Sequence, residues 1–87
     1  MYHVLGRFKV DLEQWKKVTR EHRAAHEDAG LRFKQVWRNV DDSQEIFFLF
    51  EAWDLGRARV FLEKARALDQ ERQRKGEIPV LTFLQDA

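Results

Sequence analysis

Two histidines, His22 and His26, stand four positions apart in the stretch REHRAAHE, residues 20–27. On a helix that spacing puts both imidazoles on one face. Imidazole is the side chain whose ordinary pKa lies nearest neutrality, so such a pair can hydrogen-bond a ligand, move protons or chelate a metal. At about 100° per residue His22 falls near the centre of the helix's apolar stripe and His26 about 40° from it, with Trp15 two turns before His22. The spacing therefore predicts that both rings face inward and form, with Trp15, a candidate ligand cleft. Packed aromatic-like core is the other reading of the same placement. A metal is not expected. The stretch lacks the glutamate placement of HExxH, and Glu21, Glu27 and Asp28 fall off the stripe, leaving no third ligand.

Other chemistry is sparse. The chain has no cysteine, hence no thiolate nucleophile and no disulfide. It has no glycine-rich phosphate loop and no nucleophile-elbow pattern, so no cofactor is expected. Asp41 and Asp42 lie in a polar turn and read as solvated. Trp15, Trp37 and Trp53 could stack on a flat ligand, although residues of that bulk more often fill cores and interfaces.

The elements that position these residues are legible from periodicity. YHVLGRFKV, residues 2–10, is a strand by its apolar and aromatic content. Asp11 caps a helix, with Gln14 at the capping-box position, and Leu12, Trp15, Val18, Thr19, His22, Ala25, His26 and Ala29 recur at steps of three and four until Gly30 stops it. LRFKQVWRNV, residues 31–40, is a second strand, with Leu31, Phe33 and Trp37 on one side and Arg32, Lys34 and Arg38 on the other. DDSQ is a turn of hairpin length, and EIFFLFEAW, residues 45–53, is apolar on both faces, as a central strand is. Asp54 caps a second helix whose inner stripe is Ala58, Phe61, Leu62, Ala65 and Leu68, charged outside through DQERQRK to Gly76. Pro79 opens the last strand, VLTFL.

The order β-α-β-β-α-β, with right-handed crossovers, closes as an antiparallel four-stranded sheet with both helices on one face. This is the ferredoxin-like α+β arrangement, in a single domain over residues 1–87. The helix side takes Tyr2, Val4, Gly6 and Phe8 from the first strand and Ile46, Phe48, Phe50 and Ala52 from the third. The uncovered side takes Leu5, Phe47, Leu49 and Trp53 together with His3, Arg7 and Glu51. Monomers avoid an open face so aromatic, and a second copy is its simplest cover. The predicted interface is Arg7, Glu51, Leu49, Phe47 and Trp53, with Arg7 and Glu51 as a register-fixing ion pair.

Charge gives no reason to expect nucleic acid: 16 basic residues stand against 15 acidic, a net of +1. The RNA-recognition motif shares the element order, but QEIFFLFEAW has neither its basic start nor its glycine. No apolar run reaches the roughly 18 residues of a spanning helix. The expected setting is the cytoplasm, with neither membrane nor nucleic acid as partner.

Across nearly its whole length the sequence resembles the dimeric α+β barrel superfamily, which includes antibiotic-biosynthesis-monooxygenase-like domains and stress-responsive barrel domains. HVLGRFKV carries the resemblance, with W..V...H...HEDAGL through the first helix and FFLFEAWD followed by ARVFLEKA. The resemblance implies a homodimeric barrel with a cleft between helices and sheet in each subunit. His3 precedes a run similar to that of the stress-responsive domains, and its residue-level reading is a strand end. Of the Asn, Trp and Tyr or His set associated with the oxygenases, Trp53 is the position represented here. Three functions follow as expectations. The first is a homodimer binding a small organic molecule in the cleft. The second is a cofactor-independent monooxygenase or isomerase acting on an aromatic or polyketide-like substrate. The third is a structural or regulatory dimer without catalysis.

Overall fold

The computed structural model describes the backbone of residues 1–72 and 79–87 and the side chains of residues 1–67 and 79–87. The described elements are β1 (Tyr2–Lys9), α1 (Leu12–Glu21), α2 (Arg23–Asp28), β2 (Leu31–Arg38), β3 (Glu45–Ala52), α3 (Leu55–Arg72) and β4 (Val80–Gln85). The sheet order is β2-β3-β1-β4, antiparallel at every junction. This is the ferredoxin-like order, with β1 and β3 in the middle. Leu68 of the expected stripe, the charged run after it and Gly76 lie outside the described side chains.

Alternation decides which face is dry. Buried and half-buried residues strictly alternate along β3, and Val4, Phe8, Ile46, Phe48, Phe50 and Ala52 form the core with Leu31, Ala29 and Ala58. Phe61 and Leu62 of α3 and Trp15 of α1 pack onto that core from the helix side. Fully burying a side chain such as Ile46 or Val4 contributes about 1.5–3 kcal/mol, so this one face supplies most of the drive to fold. Asp11 Oδ2 accepts the Gln14 N–H at 3.0 Å, and Asp54 Oδ1 accepts the Arg57 N–H at 3.1 Å. These are the two helix starts read from the sequence. Gly30 leaves the helical region at φ 77°, a conformation glycine enters without steric penalty. Its carbonyl then accepts the Trp53 N–H at 3.0 Å, tying the helix end to the end of β3.

Three expectations are corrected. The first helix is not continuous. It breaks at His22 (φ −101°, ψ 13°), which ends α1 and precedes α2. Val18 O accepts the His22 N–H at 3.1 Å and also His22 Nδ1–H at 2.8 Å. The imidazole is thereby folded back on its own helix, while the ladder bonds from His22 N–H to Val18 O and from His26 N–H to His22 O are both kept.

The strand β2 also departs from simple alternation. Its pairing with β3 shifts between Phe33 and Gln35, so Lys34 is the extra residue of a bulge. Leu31 and Phe33 stand opposite Ala52 and Phe50 on the helix side, whereas Trp37 stands opposite Phe47 on the open side. One inserted residue moves everything after it to the other face.

The Arg7–Glu51 pair does not form within the sheet. Register sets His3 against Glu51 and Arg7 against Phe47. Arg7 and Glu51 are thus offset by four residues, about 13 Å along a strand. Glu51 Oε1 instead meets Lys34 Nζ at 2.9 Å, a contact the bulge makes possible. That hydrogen bond holds the Glu51 carboxyl below its ordinary pKa, helped by the charges of Lys34, Arg32 and His3 against a smaller opposing effect of desolvation.

Candidate functional site

The helix layer does not seal the sheet. Between α1–α2 and β2 lies a cleft of about 640 Å³, lined by Trp15, Thr19 and His26 from the helices and by Leu31, Phe33 and Val36 from the strand, with charged side chains at its margin. A volume of this order suits a small organic ligand. Its floor is aromatic. The Trp15 ring lies 5.7 Å from Phe33, edge-on at 65°, and 5.1 Å from Phe48 at 30°. Phe33 meets Phe50 at 5.7 Å and 61°. Although it faces the helix side, Phe33 is 44% exposed, because the cleft bares its ring.

His26 sits at the inner end of this floor, half-buried. Its ring stands edge-on to Phe50 at 5.2 Å and to Phe61 at 5.5 Å. Burial among these rings pushes its pKa below the ordinary value, and the neighbouring His22 pushes it further in the same direction. A neutral imidazole in an aromatic cleft offers one donor and one acceptor to a ligand.

The predicted histidine pair is therefore divided. Trp15 and His26 meet in the cleft, but His22 is exposed and is not among the cleft-lining residues. Its ring is committed to Val18 O, at the residue that separates α1 from α2. Phe33 and Arg20 line the cleft without having been singled out as site residues. The signal for Phe33 was its place directly after Leu31 on the inward side of an edge strand. Among the described residues no group of three His, Cys, Asp or Glu side chains is placed to hold a metal ion.

The open face of the sheet is a second feature. Its rows follow the register across β2, β3, β1 and β4: Trp37, Phe47, Arg7 and Val80; then Gln35, Leu49, Leu5 and Thr82; then Arg32, Glu51, His3 and Leu84. Trp37, Val80 and Leu84 are each more than two-fifths exposed, and Trp53 beyond the end of β3 is 52% exposed. At the strand end His3 Nε2 and Asp86 Oδ1 lie 2.6 Å apart, a hydrogen bond that holds the Asp86 carboxyl below its ordinary pKa.

No protein-family model matches the sequence, and no curated protein does. Solved structures do match in shape. One is a Deinococcus radiodurans protein provisionally named an antibiotic biosynthesis monooxygenase, with a TM-score of 0.60 at 12% identity over 100% of this chain and 93% of that one. A similarly named protein from Nitrosomonas europaea gives 0.55 at 15% identity over 99% and 98%. An uncharacterized NIPSNAP domain protein from Burkholderia xenovorans gives 0.59 at 12% identity over 100% and 95%. At such identities the likeness establishes the fold, which is the α+β ferredoxin-like fold of antibiotic-biosynthesis-monooxygenase-like proteins. Fold alone does not carry a reaction.

Proposed function

We propose that this protein is a homodimeric α+β barrel that binds a small organic molecule in the helix–sheet cleft of each subunit. The observation that carries the reading is the exposed aromatic floor of Trp15 and Phe33 with His26 at its inner end. Such a surface gains by covering its apolar area with a flat ligand while one neutral imidazole fixes orientation. The dimer rests on the open face. Leu5 and Leu49 lie at its centre, with Phe47 beside Leu49 and exposed Trp37, Val80 and Leu84 around them. Two such faces pressed together remove that apolar area from water. Arg7, Glu51 and Trp53 are the polar and aromatic margin of this interface in the same reading. The location that goes with it is the cytoplasm.

A second reading, oxygenation or isomerisation without a cofactor, is favoured by the names of two of the matching structures. In this chain His26 would serve as the proton acceptor, because burial keeps its imidazole neutral.

Thermal unfolding followed by circular dichroism with 2-naphthamide as probe tests the binding reading. A ligand that binds only the folded state raises the midpoint with concentration. The rise should be lost in Trp15→Leu and in His26→Leu. No rise in the parent protein at any concentration contradicts the reading. Chromatography of the same mixture under air separates the two readings, since a binder returns the probe unchanged and an enzyme consumes it.

A further inference from the structure

The margin of the cleft is unlike its floor. Lys16 and Arg20, one turn apart on α1, and Arg23 of α2 line the cleft from the helix side. Arg32 of the edge strand β2 also borders it, although its register sets it on the open side of the sheet. The chain as a whole is nearly neutral, with a net charge of +1, so this cluster is a local concentration. One carboxylate, Glu27, is among the lining residues, and it is engaged with Arg23 Nε at 3.2 Å. Across β2 and β3 Arg32 stands opposite Glu51, but that carboxylate is held by Lys34 at 2.9 Å. Lys16 has Glu13 at 4.0 Å, the limit of an ion pair. Among the described residues no carboxylate lies within 4 Å of Arg20.

We infer that the cleft selects an aromatic carboxylate, whose ring system covers Trp15 and Phe33 while its anionic group is bound by Arg20 with Lys16 and Arg23 around it. The inference rests on the cleft-binding reading and adds the sign of the ligand's charge. An arginine fork binds a carboxylate through two parallel hydrogen bonds, an arrangement a neutral amide of the same shape cannot reproduce. Because the cationic side chains sit at a solvent-exposed edge, their preference for an anion weakens as salt rises.

Isothermal titration with 2-naphthoate and 2-naphthamide, which share one ring system and differ in charge, tests it. The expected result is about tenfold tighter binding of the carboxylate at low salt, a ratio that shrinks at high salt. Lys16→Gln with Arg20→Gln should shrink the ratio toward one, because the carboxylate loses far more affinity than the amide. Both residues are on the helix surface, so the fold tolerates the change, and circular dichroism verifies it. Equal affinities in the parent protein, or a ratio the double variant leaves intact, overturns the charge selection alone. Failure of both probes to bind overturns the cleft reading with it.

Discussion

Gly6 stands directly across from Phe48 in the β1–β3 ladder, and the Phe48 ring occupies the space that a Cβ on Gly6 would take. The ring so placed is the platform for Trp15, 5.1 Å away. The cleft floor thus depends on a missing side chain in the neighbouring strand. Gly6→Ala should lower stability by about 1–3 kcal/mol, the usual cost of overpacking a core, read from the urea midpoint. Phe48→Leu in the same chain frees the space and should recover part of the loss. Strictly additive effects of the two changes would contradict the contact.

His26 predicts a pH dependence. Its pKa is lowered in the folded state by burial and then by His22. The unfolded chain takes up a proton as pH falls past about 6.5, the ordinary histidine value, while the folded chain resists it. The unfolded state then binds more protons, so this contribution to stability is complete above that pH and declines as pH drops toward the depressed folded value. Unfolding midpoints between pH 7.5 and 5, as roughly chosen to bracket that titration, should fall with acid. His26→Leu should flatten the curve, and an unchanged slope would show that His26 does not set it.

His22 should behave differently from its neighbour four positions on. Its ring is committed to Val18 O and lies outside the cleft. His22→Ala should therefore leave the probe-dependent rise in thermal midpoint intact, while the same measurement on His26→Leu loses it. A loss in both would place His22 in the site.

The open sheet face predicts assembly. One chain has a mass of 10.5 kDa, and sedimentation equilibrium should return twice that value at micromolar concentration. Leu49→Glu puts a charge at the centre of the proposed interface and should yield the single-chain mass with the far-ultraviolet spectrum retained. Val40→Glu, at a turn residue that is 98% exposed, should leave the dimer unchanged. A single-chain mass for the parent protein would contradict the face-to-face pairing.

Much of the architecture was legible because single residues announce it. Asp11, Gly30 and Asp54 marked helix ends that the structure repeats, and the two alternating sets of β3 sort cleanly into core and open face. Two local events were hidden. The bulge at Lys34 reverses the facing of Trp37, and its trace is the polar pair Lys34–Gln35 interrupting the apolar alternation between Phe33 and Val36. The break at His22 sits inside an unbroken three-and-four pattern, and periodicity registers neither that break nor the imidazole bonded to its own backbone there. For the same reason the candidate site was half legible. Trp15 and His26 follow from helical spacing, whereas the cationic margin reads in sequence as an ordinary solvated helix face and acquires meaning when Phe33 is set opposite it.

The division of the sheet into a ligand side and a partner side is tested most directly by isotope-filtered nuclear Overhauser measurements between 2-naphthoate and labelled methyl groups. Ligand protons should contact the methyls of Leu31 and Val36, which line the cleft. Those of Leu5 and Leu49 at the centre of the open face, and of Leu84 at its edge, should show none. Contacts to Leu5, Leu49 and Leu84 with none to Leu31 and Val36 would make the open face the binding surface and contradict the cleft.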